Sequence, residues 1–193
     1  MDNIETKSIL LAGVGGQGIL RASDIMCAAL MEAGFDVKKS EVHGMAQRGG
    51  CVTSHVRYGS KVYSPLAKLE SVDILIAFEK METLRYLNYL KKNAAIIVNN
   101  EKIYPPAVNM GDLPYPKDII KLLKERYKSV KEIDATDLAQ KAGNIKTANV
   151  ILLGAVSNLI EINSTIWEKI IHKSFPEKLI KMNLAAFQMG ISA

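Results

Sequence analysis

The segment Ser8-Ile9-Leu10-Leu11-Ala12-Gly13-Val14-Gly15-Gly16-Gln17-Gly18 decides the fold of this 193-residue chain. Its apolar start indicates a buried strand, and its glycines follow the spacing G-x-G-x-x-G. An amphipathic helix is predicted over Ile19–Ala33, with Gly34 as its C-terminal cap. A second strand at Phe35–Ser40 would complete a strand–helix–strand unit with a right-handed connection.

The rest of the chain continues this alternation of strands and helices, and we expect one domain over residues 1–193. The strand at Cys51–Tyr58 follows its predecessor without a helix, which favours an antiparallel or mixed neighbour. The pattern therefore predicts an α/β sandwich with a helical C-terminal segment. Further strands are predicted at Val72–Ala77, Ala94–Val98 and Val130–Ile133, and helices at Met81–Leu90, Lys117–Tyr127, a segment ending at Gly143, Thr147–Ile160, Thr165–His172 and Pro176–Met189, the last closed by Gly190.

Composition argues against several classes of function. The net charge is only +5 and aromatic residues make up 6% of the chain, so a nucleic-acid surface is not indicated. The N-terminus lacks a signal-peptide profile, and the apolar stretch Val150–Ile160 is too short to cross a bilayer. We therefore expect a cytoplasmic protein without a membrane partner.

Two cysteines, Cys27 and Cys51, are too few for an iron–sulfur cluster and have no zinc spacing. Cys27 falls on the apolar side of the first helix, where it is expected to be a buried small side chain. Cys51 and His55 would lie roughly 13 Å apart on a strand, so no metal site is predicted there. Thr53, His55 and Arg57 instead predict a polar strand face that meets solvent or another subunit.

The glycine turn leaves three interpretations open. It could bind a dinucleotide, it could contact an anion or a partner's backbone, or it could serve only close packing of strand and helix. The acidic residue expected after the second strand of a dinucleotide fold is absent, and this weakens the first interpretation. The candidate binding residues of the turn are Gly13, Gly15, Gly16, Gln17 and Gly18.

A second candidate site is the loop Glu41-Val42-His43-Gly44-Met45-Ala46-Gln47-Arg48-Gly49-Gly50. Arg48 could hold a phosphate or carboxylate through two hydrogen bonds, and His43 could donate or carry a proton near neutral pH. The alternative is that Gln47 and Arg48 bond neighbouring backbone and that His43 caps a turn. Because such loops commonly carry binding residues, we include His43, Gln47 and Arg48 in the candidate site.

These two segments, with Tyr63-Ser64-Pro65-Leu66, Ala77-Phe78-Glu79, Thr147-Ala148-Asn149 and Asn183-Leu184-Ala185-Ala186-Phe187, give the chain a family resemblance over nearly its whole length. It resembles the beta subunits of indolepyruvate:ferredoxin oxidoreductases, which group with the gamma subunits, or domain III, of 2-oxoacid:ferredoxin oxidoreductases. The glycine turn alone is unspecific. The His-Gly-Met-Ala-Gln-Arg-Gly-Gly segment is what points to the indolepyruvate branch.

The resemblance implies a three-layer α/β/α sandwich with a mixed, mostly parallel Rossmann-like sheet. It also implies a part in the oxidative decarboxylation of aryl pyruvates, with coenzyme A as co-substrate and ferredoxin as electron acceptor. Thiamine diphosphate and iron–sulfur clusters would belong to a larger alpha subunit, and this chain would be inactive alone. Gly15–Gly18 and the His43–Arg48 loop would then face that subunit and the path of coenzyme A.

Three rival interpretations remain at this point. The chain could be a stand-alone nucleotide-binding or sensor module, or the gamma subunit of another 2-oxoacid:ferredoxin oxidoreductase. It could also be a structural partner that only stabilises a catalytic chain. In isolation it could form a homodimer that covers the surface meant for the alpha subunit.

Overall fold

The computed structural model describes residues 5–44 and 50–193, and a six-stranded sheet forms its centre. The spatial order of the strands is β2-β3-β1-β4-β5-β6. The strands are β1 (Lys7–Val14), β2 (Asp36–His43), β3 (Cys51–Gly59), β4 (Val72–Ala77), β5 (Leu90–Asn99) and β6 (Ser129–Ile133).

Strand β3 is antiparallel to both of its neighbours and separates β2 from β1. Strands β1, β4, β5 and β6 run parallel, and Leu11 of β1 lies opposite Ser54 on one side and Ile76 on the other. The expectation of an antiparallel neighbour for the Cys51 strand is therefore confirmed. The sheet is mixed and mostly parallel.

Helices cover both faces of the sheet and create two cores. One core lies between the sheet and α1, α5, α6, α7 and α8, and the other lies beneath α2 and α4. This is the three-layer arrangement that the resemblance implied. The helices are α1 (Ile19–Glu32), α2 (Lys80–Arg85), α3 (Pro106–Asn109), α4 (Ile119–Arg126), α5 (Ala135–Lys141), α6 (Ala148–Ser157), α7 (Ser164–Ser174) and α8 (Glu177–Ser192), with short 3₁₀ turns at Leu87–Tyr89 and Ile145–Thr147.

Helix α6 is buried nearly all round and packs against α8 at two glycines. A Cβ atom on Gly154 would overlap the carbonyl oxygen of Phe187, and one on Gly190 would overlap that of Ile151. Gly190 therefore lies inside α8, and the prediction that it ends this helix was wrong. Its role is to let two helix backbones approach each other.

Two other expectations also need correction. The helix predicted over Met81–Leu90 ends at Arg85, because Leu90 already pairs with Val72 in the sheet. The polar face of β3 is largely closed to solvent: Thr53 and His55 are buried, and only Arg57 of the three is partly exposed. The backbone N–H of Ala67 donates to Nδ1 of His55 at 3.4 Å, so the connection after β3 folds over this face.

Among residues 5–44 and 50–193, no helix has both the length and the apolar character that are needed to cross a membrane.

Candidate functional site

The glycine turn after β1 uses its glycines for two different purposes. Gly13 and Gly18 serve packing, since a Cβ atom there would come within 2.7 Å of Phe78 Cβ and Asn149 Nδ2 respectively. Gly16 has a φ of +99°, and a Cβ atom on it would meet only open space. Packing therefore explains the outer glycines, whereas Gly16 leaves the turn accessible in front of α1.

Gln17 is folded back onto the protein. Its Oε1 accepts the backbone N–H of Val14 at 2.8 Å, and its Nε2 donates to the carbonyl oxygen of Phe78 at 2.8 Å. The same nitrogen lies 3.3 Å from Oε2 of Glu101. The side chain of Gln17 thus holds the turn in place, and its amide is already used within the protein.

The structure brings the glycine turn and the second candidate loop together at their bases. The N–H of Gly15 donates to the carbonyl oxygen of Gly50 at 2.9 Å, and the N–H of Gly44 donates to the carbonyl oxygen of Cys51 at 2.8 Å. His43 is the last residue of β2, with its Nε2 3.6 Å from a carboxylate oxygen of Glu41. The other two candidates of this loop, Gln47 and Arg48, lie outside the described residues.

A crevice of about 500 Å³ opens beside the turn, at the carboxyl ends of the parallel strands. Gly16, Gln17 and Glu101, which follows β5, are among its lining residues. Ile145, in the 3₁₀ turn before α6, and Leu152, within α6, also line it. Open α/β sheets bind their ligands at this edge, so the crevice is the natural binding position of the fold.

Glu101 is held in this crevice by several hydrogen bonds, and it was not among the residues predicted from the sequence. Its Oε2 accepts from Asn99 Nδ2 at 2.9 Å and from the Thr136 hydroxyl at 3.1 Å, in addition to Gln17. Asn99 is itself buried and accepts the N–H of Ala135 at 3.0 Å. The available signal was positional: Asn99 and Thr136 stand at or just after the ends of two parallel strands.

Asn149, one of the residues that carry the family resemblance, makes a hydrogen bond to the glycine turn. It is buried at the start of α6 and donates from Nδ2 to the carbonyl oxygen of Gly18 at 3.2 Å. This bond joins residues 131 positions apart. It fixes the start of α6 against the glycine turn.

A second polar cluster lies beneath α2, on the other face of the sheet. Glu79 is fully buried and accepts the N–H of Glu82 at 3.0 Å and the hydroxyl of Tyr115 at 2.5 Å. Burial, followed by the bond to Glu79, raises the pKa of Tyr115. Burial also raises the pKa of Glu82. The cluster anchors the segment after β5 to the start of α2, because Glu79 also accepts the N–H of Ile103 at 3.3 Å.

The two thiols lie in different surroundings. Cys27 lies on the buried side of α1, and loss of solvent raises the pKa of its thiol to about 12. The Cys51 sulfur lies 3.8 Å from the hydroxyl of Tyr86, whose pKa is raised by burial and then by this contact. Within the part of the chain that the structure describes, no group of three or more His, Cys, Asp or Glu residues is placed to hold a metal ion. The described site can bind and position a ligand.

Known proteins match this chain over almost its full length. The family model described as pyruvate ferredoxin/flavodoxin oxidoreductase fits residues 8–193. The indolepyruvate oxidoreductase subunit IorB of Thermococcus kodakarensis is 39% identical over 191 residues, which cover 96% of this chain and 95% of that protein. The protein of the same name from Archaeoglobus fulgidus is 40% identical over 187 residues, covering 95% and 92% respectively.

A solved structure extends the comparison to the fold. The 2-oxoglutarate:ferredoxin oxidoreductase of Magnetococcus marinus, with 2-oxoglutarate, coenzyme A and succinyl-CoA bound, superposes with a TM-score of 0.77 at 25% identity. The match covers 97% of this chain and 31% of that longer chain. The present fold thus corresponds to about a third of a larger polypeptide.

Proposed function

The chain belongs to the pyruvate ferredoxin/flavodoxin oxidoreductase family, and from that membership we propose that it is the beta subunit of an indolepyruvate:ferredoxin oxidoreductase. The main support for this proposal is that the chain is 39–40% identical to two indolepyruvate oxidoreductase subunits over at least 92% of their length. The enzyme would convert aryl pyruvates and coenzyme A to aryl-acetyl-CoA and carbon dioxide, with ferredoxin reduced. Residues 1–193 would act as one domain of this enzyme in the cytoplasm.

The redox cofactors of this reaction are assigned to a larger alpha subunit. Thiamine diphosphate and iron–sulfur clusters supply the electron chemistry when bound. The residues of this chain do not fit a cluster: it has only two cysteines, and the thiol of Cys27 is buried with its pKa raised to about 12. An iron–sulfur cluster is held by about four cysteine thiolates.

The glycine turn and the second candidate loop are proposed to face the alpha subunit and coenzyme A. Gly16 leaves open space before α1, where backbone N–H groups and the helix dipole attract anions. The bond between Gly15 and Gly50 holds the base of the loop that carries His43, Gln47 and Arg48 against this turn. One ligand could therefore contact the turn and the base of this loop, and Arg48 is proposed from its chemistry as a partner for the phosphate groups of that ligand.

The decisive experiment is reconstitution of activity from separate subunits. Each subunit is purified alone, and reduction of ferredoxin by indolepyruvate and coenzyme A is measured for each and for the mixture. We expect turnover only in the mixture. Turnover by this chain alone would overturn the proposal, as would a mixture that reduces ferredoxin equally well without it.

A variant of Arg48 tests the assignment to coenzyme A. Arg48→Ala in the reconstituted enzyme should raise KM for coenzyme A by at least about tenfold while leaving KM for the 2-oxoacid unchanged, since a bidentate charged bond contributes roughly 1.5–3 kcal/mol. Arg126→Ala, at the end of α4, is the matched control and should leave both values unchanged. Unaltered kinetics for Arg48→Ala would exclude this role.

A further inference from the structure

The carboxylate of Glu101 is presented to the crevice in an unusual way. Its Oε2 is held by three donors, the side chains of Gln17, Asn99 and Thr136, at 2.9–3.3 Å. Its Oε1 has no hydrogen-bond partner among residues 5–44 and 50–193. One oxygen is therefore fixed and the other is available, so the acceptor is oriented before any ligand arrives.

The surroundings of this oxygen restrict what it can bind. Ile145 lines the crevice with a large apolar side chain that is 53% exposed. Lys146 lies beside it, and no carboxylate in the described part of the chain pairs with this lysine. The open backbone at Gly16 completes the rim. The crevice thus combines an acceptor, an apolar surface and a positive charge.

The position in the sheet matches this combination. In nucleotide-binding folds of this type, phosphate sits at the turn after the first strand, and an acidic residue after a neighbouring strand accepts ribose hydroxyls. That acid normally follows the second strand, where this chain has none. Glu101 reaches the same crevice from the end of β5, through its bond to Gln17.

We propose that this crevice binds the ribose phosphate portion of a nucleotide, with Glu101 Oε1 accepting ribose hydroxyls and Lys146 and the Gly16 backbone facing the phosphate. A volume of about 500 Å³ is within the usual range for sites of this size. The inference extends the proposed function, because coenzyme A is itself a ribonucleotide derivative. The site residues it adds, Glu101, Thr136 and Lys146, come from the crevice itself.

The test uses the full chain without a partner, so its outcome is independent of whether the oxidoreductase can be reconstituted. Binding of AMP and of 2′,3′-dideoxy-AMP is measured by calorimetry or by chemical-shift titration of the amides of Gly16, Gly18 and Lys146. We expect AMP to bind about tenfold more tightly, because only AMP offers hydroxyl donors to the carboxylate. Equal affinities, or no saturable binding of AMP, would overturn the proposal.

A substitution then assigns the effect to one side chain. Glu101→Ala, which removes both carboxylate oxygens, should reduce the ratio of the two affinities to about one, and Glu125→Ala, on the exposed surface of α4, should leave it unchanged. A ratio that survives Glu101→Ala would overturn the role of Glu101, and melting curves confirm that each variant is folded. Competition with coenzyme A identifies the source: displacement of AMP indicates the co-substrate, and independent binding indicates a free ribonucleotide.

Discussion

The side-chain nitrogen of Gln17 lies 2.8 Å from the carbonyl oxygen of Phe78, so a single amide ties the turn after β1 to the end of β4. The other end of that amide accepts the N–H of Val14 at 2.8 Å. Gln17 was chosen from the sequence as a ligand contact. Its bonds support a positioning role, in which it shapes the turn and steadies Glu101.

Gln17→Ala is expected to lower the free energy of unfolding by about 1–3 kcal/mol, because the N–H of Val14 and the carboxylate of Glu101 lose a partner. Gln17→Glu keeps the acceptor but places a carboxylate against the Phe78 carbonyl and Glu101, so it should destabilise at neutral pH more than at pH 5. Urea unfolding at both pH values measures this. Gln140→Ala, exposed on α5, should change the free energy by less than about 0.5 kcal/mol. Equal stability of Gln17→Ala and the unchanged chain would contradict the role.

The contact between α6 and α8 makes a second prediction. Gly154→Ala and Gly190→Ala each introduce a methyl group where backbone atoms of the facing helix already lie. Each should therefore lower the free energy of unfolding by about 1–3 kcal/mol. The double substitution should lower the free energy of unfolding by less than the sum of the two single effects, because the first substitution already separates the helices. Thermal unfolding provides the measurement, with Lys181→Ala on the exposed side of α8 as the control. Melting temperatures within a degree of the unchanged chain would refute the close approach.

Much of the fold follows from local patterns in the sequence. Val72–Ala77 was predicted to the residue, because this mostly apolar segment reads as a strand buried in the parallel part of the sheet. The antiparallel β3 followed from the absence of a helix between it and β2. Local patterns in the sequence do not reveal long-range packing. Gly190 resembles a helix cap in sequence, and only the approach of α6 shows that it lies within α8.

The candidate site shows the same division. The glycine turn was found by its spacing, and the joining of the two candidate segments at Gly15 and Gly50 depends on the antiparallel return of β3. Glu101 was missed because it lies 84 positions from Gln17 and has no motif around it. Thr53 and His55 were expected to lie on an open face, because the sequence does not reveal that the connection after β3 folds back over them.

His55 should make stability depend on pH. Burial lowers its pKa in the folded protein, so the folded state favours neutral imidazole, whose Nδ1 accepts the N–H of Ala67. Its contribution is complete above the unfolded pKa of about 6.5 and is lost as pH falls from there through the lowered folded pKa. The slope from this one group is at most about 1.4 kcal/mol per pH unit.

We therefore expect the free energy of unfolding to fall between pH 7.5 and 5 and the dependence to flatten in His55→Asn, which retains an acceptor but does not titrate. His172→Asn, exposed on α7, should keep the original dependence. Denaturant unfolding at half-unit pH steps measures all three chains. A His55→Asn profile parallel to that of the unchanged chain would show that other groups control the slope.

The two cysteines should differ sharply in reactivity. Cys27 is 7% exposed and its thiol pKa is raised to about 12 by burial, so almost none of it is thiolate at pH 8. Cys51 is only half-buried, with its sulfur near the Tyr86 hydroxyl at the rim of the fold. A disulfide reagent such as DTNB should therefore modify one thiol quickly in the native chain and a second only in denaturant. Cys27→Ser should retain the fast reaction and Cys51→Ser should lose it. Two fast thiols in the native chain would mean that the face of α1 that carries Cys27 is not buried as described.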